Sequence, residues 1–168
     1  MANEGHAIDV PTCHSVLAAA SDTRTAQELL KRMKLWSLTP DMTTYTLAVR
    51  ACRGPHALST ADGLLQEAKA AGLEPDAVMF SAMLRACKLS RDADRALALF
   101  RDMEAAPRCA EAAADVRSWN RLLAALTAAL RPDAVLETWG EMAQRGVAPD
   151  EISYAYALAA RAARGERD

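Results

Sequence analysis

The sequence predicts an all-α fold: a right-handed α-solenoid of antiparallel helix-turn-helix repeats. Three observations predict it. Pro-Asp recurs at Pro40-Asp41, Pro75-Asp76 and Pro149-Asp150, and Asp9 and Asp115 fall in register with them, giving steps of 32, 35, 39 and 35 residues. Four residues after each aspartate comes Cys13, Tyr45, Phe80, Trp119 or Tyr154, followed by a small or apolar run. Further along each unit a second apolar stripe recurs at i, i+3, i+4 and i+7, the spacing of one helix face. A period near 35 with helical texture marks stacked helix pairs, each burying its apolar face on its neighbours.

The elements follow in order. Met1 to Asp9 reads as the end of a preceding repeat, because Met1, Gly5 and Asp9 keep the spacing of Met142, Gly146 and Asp150. The chain is therefore expected to start inside a repeat, as an internal piece of a longer protein. The first full repeat is 10–41. Pro11 suits a first helical turn, where its missing N–H costs nothing, and the first helix is expected over Thr12 to Ala20. Ser21-Asp22-Thr23 makes the turn, and Ala26, Leu29, Leu30 and Met33 form the stripe of the second helix. The second repeat, 42–76, has a first helix from Thr43 to Cys52, ended by Gly54-Pro55. Its stripe is Ala61, Leu64, Leu65 and Ala68, with Gly72 as a left-handed C-terminal cap.

The third repeat, 77–115, carries the stripe Ala96, Leu99, Phe100 and Met103. Its exit, Ala106-Pro107-Arg108-Cys109 and an Ala-rich run, is four residues longer than the Gly-x-x-Pro-Asp link. A surface bulge or an extra helical turn is expected there. The fourth repeat, 116–150, has Trp119, Leu122 and Leu123 on its first helix and Val135, Trp139 and Met142 on its second, with Pro132 opening that helix and Gly146 closing it. Residues 151–168 form the first helix of a fifth repeat, through Tyr154 and Leu158 to Gly165. Without its partner helix, this last helix would expose an apolar face.

Composition narrows the chemistry. The net charge of −2 and the pI near 5.9 argue against a strongly basic nucleic-acid clamp. No apolar run reaches the roughly 18 residues of a membrane span. Met1 to Val10 shows no basic and hydrophobic leader, so no targeting segment is visible. Cys52 and Cys87 stand 35 apart at one place in consecutive repeats and read as small buried hydrophobes. His6, His14 and His56 form no pair at metal-ligand spacing, and no metal-site or phosphate-loop motif occurs. No cofactor, metal or catalytic group is expected, and the chain reads as non-enzymatic.

An aromatic near the start of the first helix, an Ala-x-x-Leu-Phe-x-x-Met second helix and a Gly-x-x-Pro-Asp link together resemble the pentatricopeptide repeat. The resemblance covers Met1 to about Gly165. It implies a single-stranded RNA partner, read one base per repeat by two or three side chains, in mitochondria or chloroplasts. The base-reading pair it implies is the residue after the aromatic and the last residue of the same repeat. Here these are His14 with Asp41, Thr46 with Asp76, Ser81 with Asp115, and Asn120 with Asp150. Small hydroxyl with Asp resembles the guanine-reading type and Asn with Asp the uracil-reading type. The implied preference from 5′ to 3′ is any base, then G, G and U.

The resemblance further implies branched apolar residues sandwiching each base. Val78 and Ile152 match, whereas Pro11, Thr43 and Arg117 depart from the pattern. Cations near the ends of first helices would contact phosphate: Arg53 and Lys88 match, and Arg50 and Arg85 recur beside them. Spacing of i, i+3 would put each pair on one helix face. Each residue also has a plainer reading. Aspartate is a good helix N-cap, and polar or charged residues can simply line a solvated face. The functional reading is sequence-selective RNA binding in organellar RNA processing, stability or translation. The alternative is a structural adaptor that docks through protein contacts on a large organellar assembly such as a ribosome.

Overall fold

The computed structural model describes residues 9–54, 56–113 and 115–165. The expected tail of a preceding repeat lies, Asp9 apart, outside the described residues, as does Pro55. Every regular element among the described residues is helical, and none of these helices is long and apolar enough to cross a membrane. The chain divides into two compact units, 1–75 and 76–168.

The first unit holds α1 (Val10–Ala19), α2 (Thr23–Leu35), α3 (Met42–Ala51) and α4 (Ala57–Ala70). Helices α1 and α3, each the first of its repeat, pack side by side. Helix α2 packs against both of them, and α4 against α3. The stripes face inward: Ala26, Leu30 and Met33 on α2 and Ala61, Leu64, Leu65 and Ala68 on α4 are buried. Leu29 is half-buried. A Thr23–Arg53 clasp ties the start of α2 to the end of α3. The Thr23 hydroxyl donates to the Arg53 carbonyl at 3.1 Å, and the Arg53 N–H donates back to Thr23 Oγ1 at 2.9 Å.

The second unit holds α5 (Ala77–Ser90), α6 (Ala93–Ala105), a 3₁₀ turn (Pro107–Cys109), α7 (Ala110–Ala113), α8 (Val116–Ala128), α9 (Pro132–Gln144) and α10 (Glu151–Ala163). Helix α8 packs against both α5 and α10, and α6 and α9 cover this row of first helices. Phe100 on α6 meets Trp119 on α8 edge to face at 4.8 Å, a geometry the ring quadrupoles favour. The long exit of the third repeat is the extra helical turn, and it is anchored, not a surface bulge. Cys109 and Ala113 are buried, and the Ala113 carbonyl accepts from Trp119 Nε1 at 2.9 Å.

Three of the links between repeats share one construction. Leu38 N–H reaches Met33 O at 2.9 Å, Leu73 N–H reaches Ala68 O at 3.0 Å, and Val147 N–H reaches Met142 O at 3.0 Å. Each bond closes the loop around a left-handed residue, Ser37 (φ +57°), Gly72 (φ +78°) or Gly146 (φ +76°). The 6→1 bond satisfies a helix-end carbonyl and turns the chain toward the next first helix. All four cysteines are buried thiols. Burial pushes the Cys13, Cys52 and Cys109 thiols up from their ordinary range.

Candidate nucleic-acid interface

Each repeat junction begins with an aspartate that caps a helix. Asp9 accepts from Thr12 N–H, Asp41 from Thr44, Asp76 from Met79 and Asp150 from Ser153, at 2.7 to 2.9 Å. These carboxylates satisfy an N-terminal N–H with no partner inside the helix, and their charge suits the helix dipole. The closing aspartates therefore have a structural role whatever else they do.

In the first unit the polar residue of one repeat meets the closing aspartate. His14 Nε2 lies 3.1 Å from Asp41 Oδ1 and 2.9 Å from Thr44 Oγ1. A carboxylate only accepts, so Nε2 carries the proton. Burial pushes the Asp41 carboxyl up. The Thr44 hydroxyl and N–H, with His14 beside them, outweigh that and hold it below the usual carboxylate range. Thr46 on α3 is buried, and its hydroxyl has no hydrogen-bond partner among the described residues. Thr46 and Asp76 belong to different units.

The second unit contains the fullest pair. Asn120 Nδ2 donates to Asp150 at 2.9 and 3.0 Å from its two oxygens. Ser153 Oγ lies 2.7 Å from Asn120 Oδ1. The Ser153 N–H and the Asn120 amide hold the Asp150 carboxyl below its ordinary range. Asn120 is buried, unlike a polar residue on a solvated face. Ser81 and Asp115 are not hydrogen-bonded to each other. Asp115 accepts instead from Arg117, at 3.0 Å from N–H and 2.9 Å from Nε. The reason is the approach of the chain: α7 leads into Asp115 at φ −79° and ψ 128°, whereas Asp150, after a Gly-x-x-Pro link, has φ −99° and ψ −177°.

The flanking residues divide. Val78 on α5 and Ile152 on α10 are exposed, at 57% and 55%, so an apolar surface stands beside two of the junctions. Arg85 and Lys88 both lie within α5 and are exposed. The first cation pair does not share a helix face, contrary to the i, i+3 expectation. Helix α3 ends at Ala51, and Arg53 lies beyond it. The Arg53 guanidinium turns back on the carbonyls of Arg50 (3.3 Å) and Cys52 (3.5 Å), helix-end oxygens that need donors. Arg50 stays exposed on α3.

Reading for base-facing residues missed Thr44 and Ser153, whose side chains complete both well-formed junctions. The signal was present as Asp-x-x-Thr at 41–44 and Asp-x-x-Ser at 150–153, a capping-box spacing. Among the described residues no group of three or more His, Cys, Asp or Glu could hold a metal ion.

A family profile described as the pentacotripeptide-repeat region of PRORP matches residues 48–168. No curated protein matches the chain. Two solved structures of the pentatricopeptide repeat protein PPR10, each in complex with an 18-nucleotide psaJ RNA element, are similar to it. One is of a triple cysteine-to-serine variant. For both, the identity is 27%, the TM-score 0.73, and the match covers 99% of this chain. The chain spans only 25% of the length of those proteins. The capped aspartates, the left-handed links and the paired helices are thus one construction, and the chain belongs to the pentatricopeptide-repeat family, with the fold of an all-α helical-repeat solenoid.

Proposed function

We propose that this chain is a base-reading segment that binds single-stranded RNA, within a protein of organellar RNA processing, stability or translation. The observation that carries the reading is the Asn120–Asp150 pair, in which the residue after the aromatic is hydrogen-bonded to the aspartate that closes its repeat. His14 and Asp41 make the same connection in the first unit. An amide held this way has an N–H and a carbonyl lone pair left over, and a uracil edge offers the complementary acceptor and donor. Exposed Ile152 supplies an apolar neighbour for the base ring. PPR10, the similar protein, is in complex with RNA. No catalysis is assigned to the chain.

Single-stranded RNAs with G-G-U at the second to fourth places test the proposal at low salt. Preferential binding, weakened when either guanine or the uracil is changed, supports it. Equal binding to all sequences removes base reading, and no binding at low salt removes RNA as the partner. That last outcome would favour the adaptor reading. Tyr154 and Leu158, exposed at 52% and 58% on α10 in a chain of net charge −2, suit a protein contact.

A further inference from the structure

We infer that Ser153 is a positioning residue for base recognition: its hydroxyl holds the Asn120 amide in the orientation in which it meets a base. The inference rests on the base-reading proposal and adds a residue that neither the aromatic nor the closing position identifies. Ser153 has no exposed surface and cannot itself touch RNA. Its Oγ accepts from the Asp150 N–H at 3.2 Å. Its one proton then has two acceptors in reach, Asn120 Oδ1 at 2.7 Å and Asp150 Oδ1 at 2.9 Å. The Asp150 carboxylate already takes the Ser153 N–H and the Asn120 amide. The Asn120 carbonyl has no other donor among the described residues, and a buried carbonyl without one is costly. The proton therefore belongs to Asn120.

The consequence is a fixed amide. Asp150 anchors the nitrogen side and Ser153 the oxygen side, so neither a flip nor a swing of the side chain keeps both bonds. A hydroxyl at the same place recurs in the first unit, where the Nε2–H of His14 makes it an acceptor toward the ring and not a donor. There Thr44 Oγ1, with no exposed surface, lies 2.9 Å from His14 Nε2 and 2.7 Å from Asp41 Oδ1. The hydroxyl stands three residues after the closing aspartate in both. Each such residue serves the polar side chain of the preceding repeat, and recognition at one repeat depends on the side chain that opens the next.

The test uses the full chain and four single-stranded RNAs with G-G at the second and third places and U, C, A or G at the fourth. Ser153→Ala is expected to lower the preference for U by about fivefold, the weight of one hydrogen bond. Ser153→Thr is expected to keep the preference. Should the alanine variant unfold, Ser153→Cys keeps the size, weakens the donor and reports the same ratio. In the RNA-free protein, the Asn120 side-chain amide protons are expected to exchange with water faster in Ser153→Ala than in the parent. Unchanged preference, or an equal loss of affinity for all four RNAs, would leave Ser153 as a helix cap only and overturn the inference. Base reading by Asn120 is judged separately, by loss of the U preference in Asn120→Ala. If the parent shows no preference at the fourth place, both ideas fall together.

Discussion

Asn120 gathers polar atoms of two neighbours, Asp150 and Ser153, into one buried junction, and small changes there are the most telling. Asn120→Ser shortens the side chain, gives up the amide that bonds Asp150, and converts the pair to a hydroxyl with Asp. The expected outcome is a shift at the fourth base from U toward G, read from the relative affinities of the two RNAs. An unchanged order would remove the assignment for this repeat. Tyr45 offers a second test, away from RNA. Its hydroxyl donates to Glu67 at 3.1 Å, and Lys34 pairs with the same carboxylate. Burial, with the Glu67 charge and hydrogen bond, pushes the phenol up to about 12. The folded state thus favours the neutral phenol. This contribution is full below pH 10 and is lost as pH rises through about 12. Tyr45→Phe should cost about 1 kcal/mol at neutral pH, measured by urea unfolding, and remove the last step of the tyrosinate absorbance titration.

At the scale of the element, the link after each second helix shows how much a short motif carries. Gly72 and Gly146 sit at positive φ because the 6→1 bond requires a left-handed residue there, and Ser37 is held in the same conformation at φ +57°. A side chain at that φ is strained by roughly 1 kcal/mol, and Ser37 is exposed. Ser37→Gly is therefore expected to raise the stability of the first unit by somewhat under about 1 kcal/mol, since glycine also gains freedom in the unfolded chain. A urea midpoint that falls instead would show that Ser37 makes a contact worth more than its strain. The helix bounds were legible for a related reason: aspartate caps, proline in first turns and glycine links act within a few residues. Legibility failed at Arg53, because α3 stops at Ala51 and the guanidinium serves the helix-end carbonyls. It was half right at the third exit, where length foretold an extra turn and Trp119 decided that it is anchored.

Across the whole molecule, two quantities follow from charge. The carboxyls of Asp9, Asp22, Asp41, Asp115 and Asp150 are all lowered from their ordinary value. Above pH 5 both folded and unfolded chains keep them ionised, and the caps are intact. Below the ordinary value near 4 the unfolded chain takes up protons that the caps resist, so stability falls with pH until the folded groups titrate too. Unfolding midpoints should thus be level from pH 7 to about 5 and drop steadily below about 4. A level midpoint down to pH 3 would contradict the capping account. RNA affinity should depend only modestly on salt. Arg53 is turned onto its own backbone, whereas Arg50, Arg85 and Lys88, the other three candidate cations, are exposed. Three phosphate contacts give a slope near −2 in log affinity against log salt, at about −0.7 per contact. A slope twice as steep would place the basic surface elsewhere.

The amino-acid order alone determined the period, the helix pairs, the caps and the turn-forming links, because each depends on contacts within a few residues or on a spacing repeated along the chain. It also marked the positions of the proposed reading pairs, though not their state. Tertiary structure decided which pairs close: His14 with Asp41 and Asn120 with Asp150 do, and Ser81 with Asp115 does not. That outcome depends on the angle at which the preceding segment delivers each aspartate, because a buried hydroxyl three residues beyond it, Ser118 after Asp115, does not by itself close the pair. Such angles arise only when helices pack, so no local spacing could have supplied them.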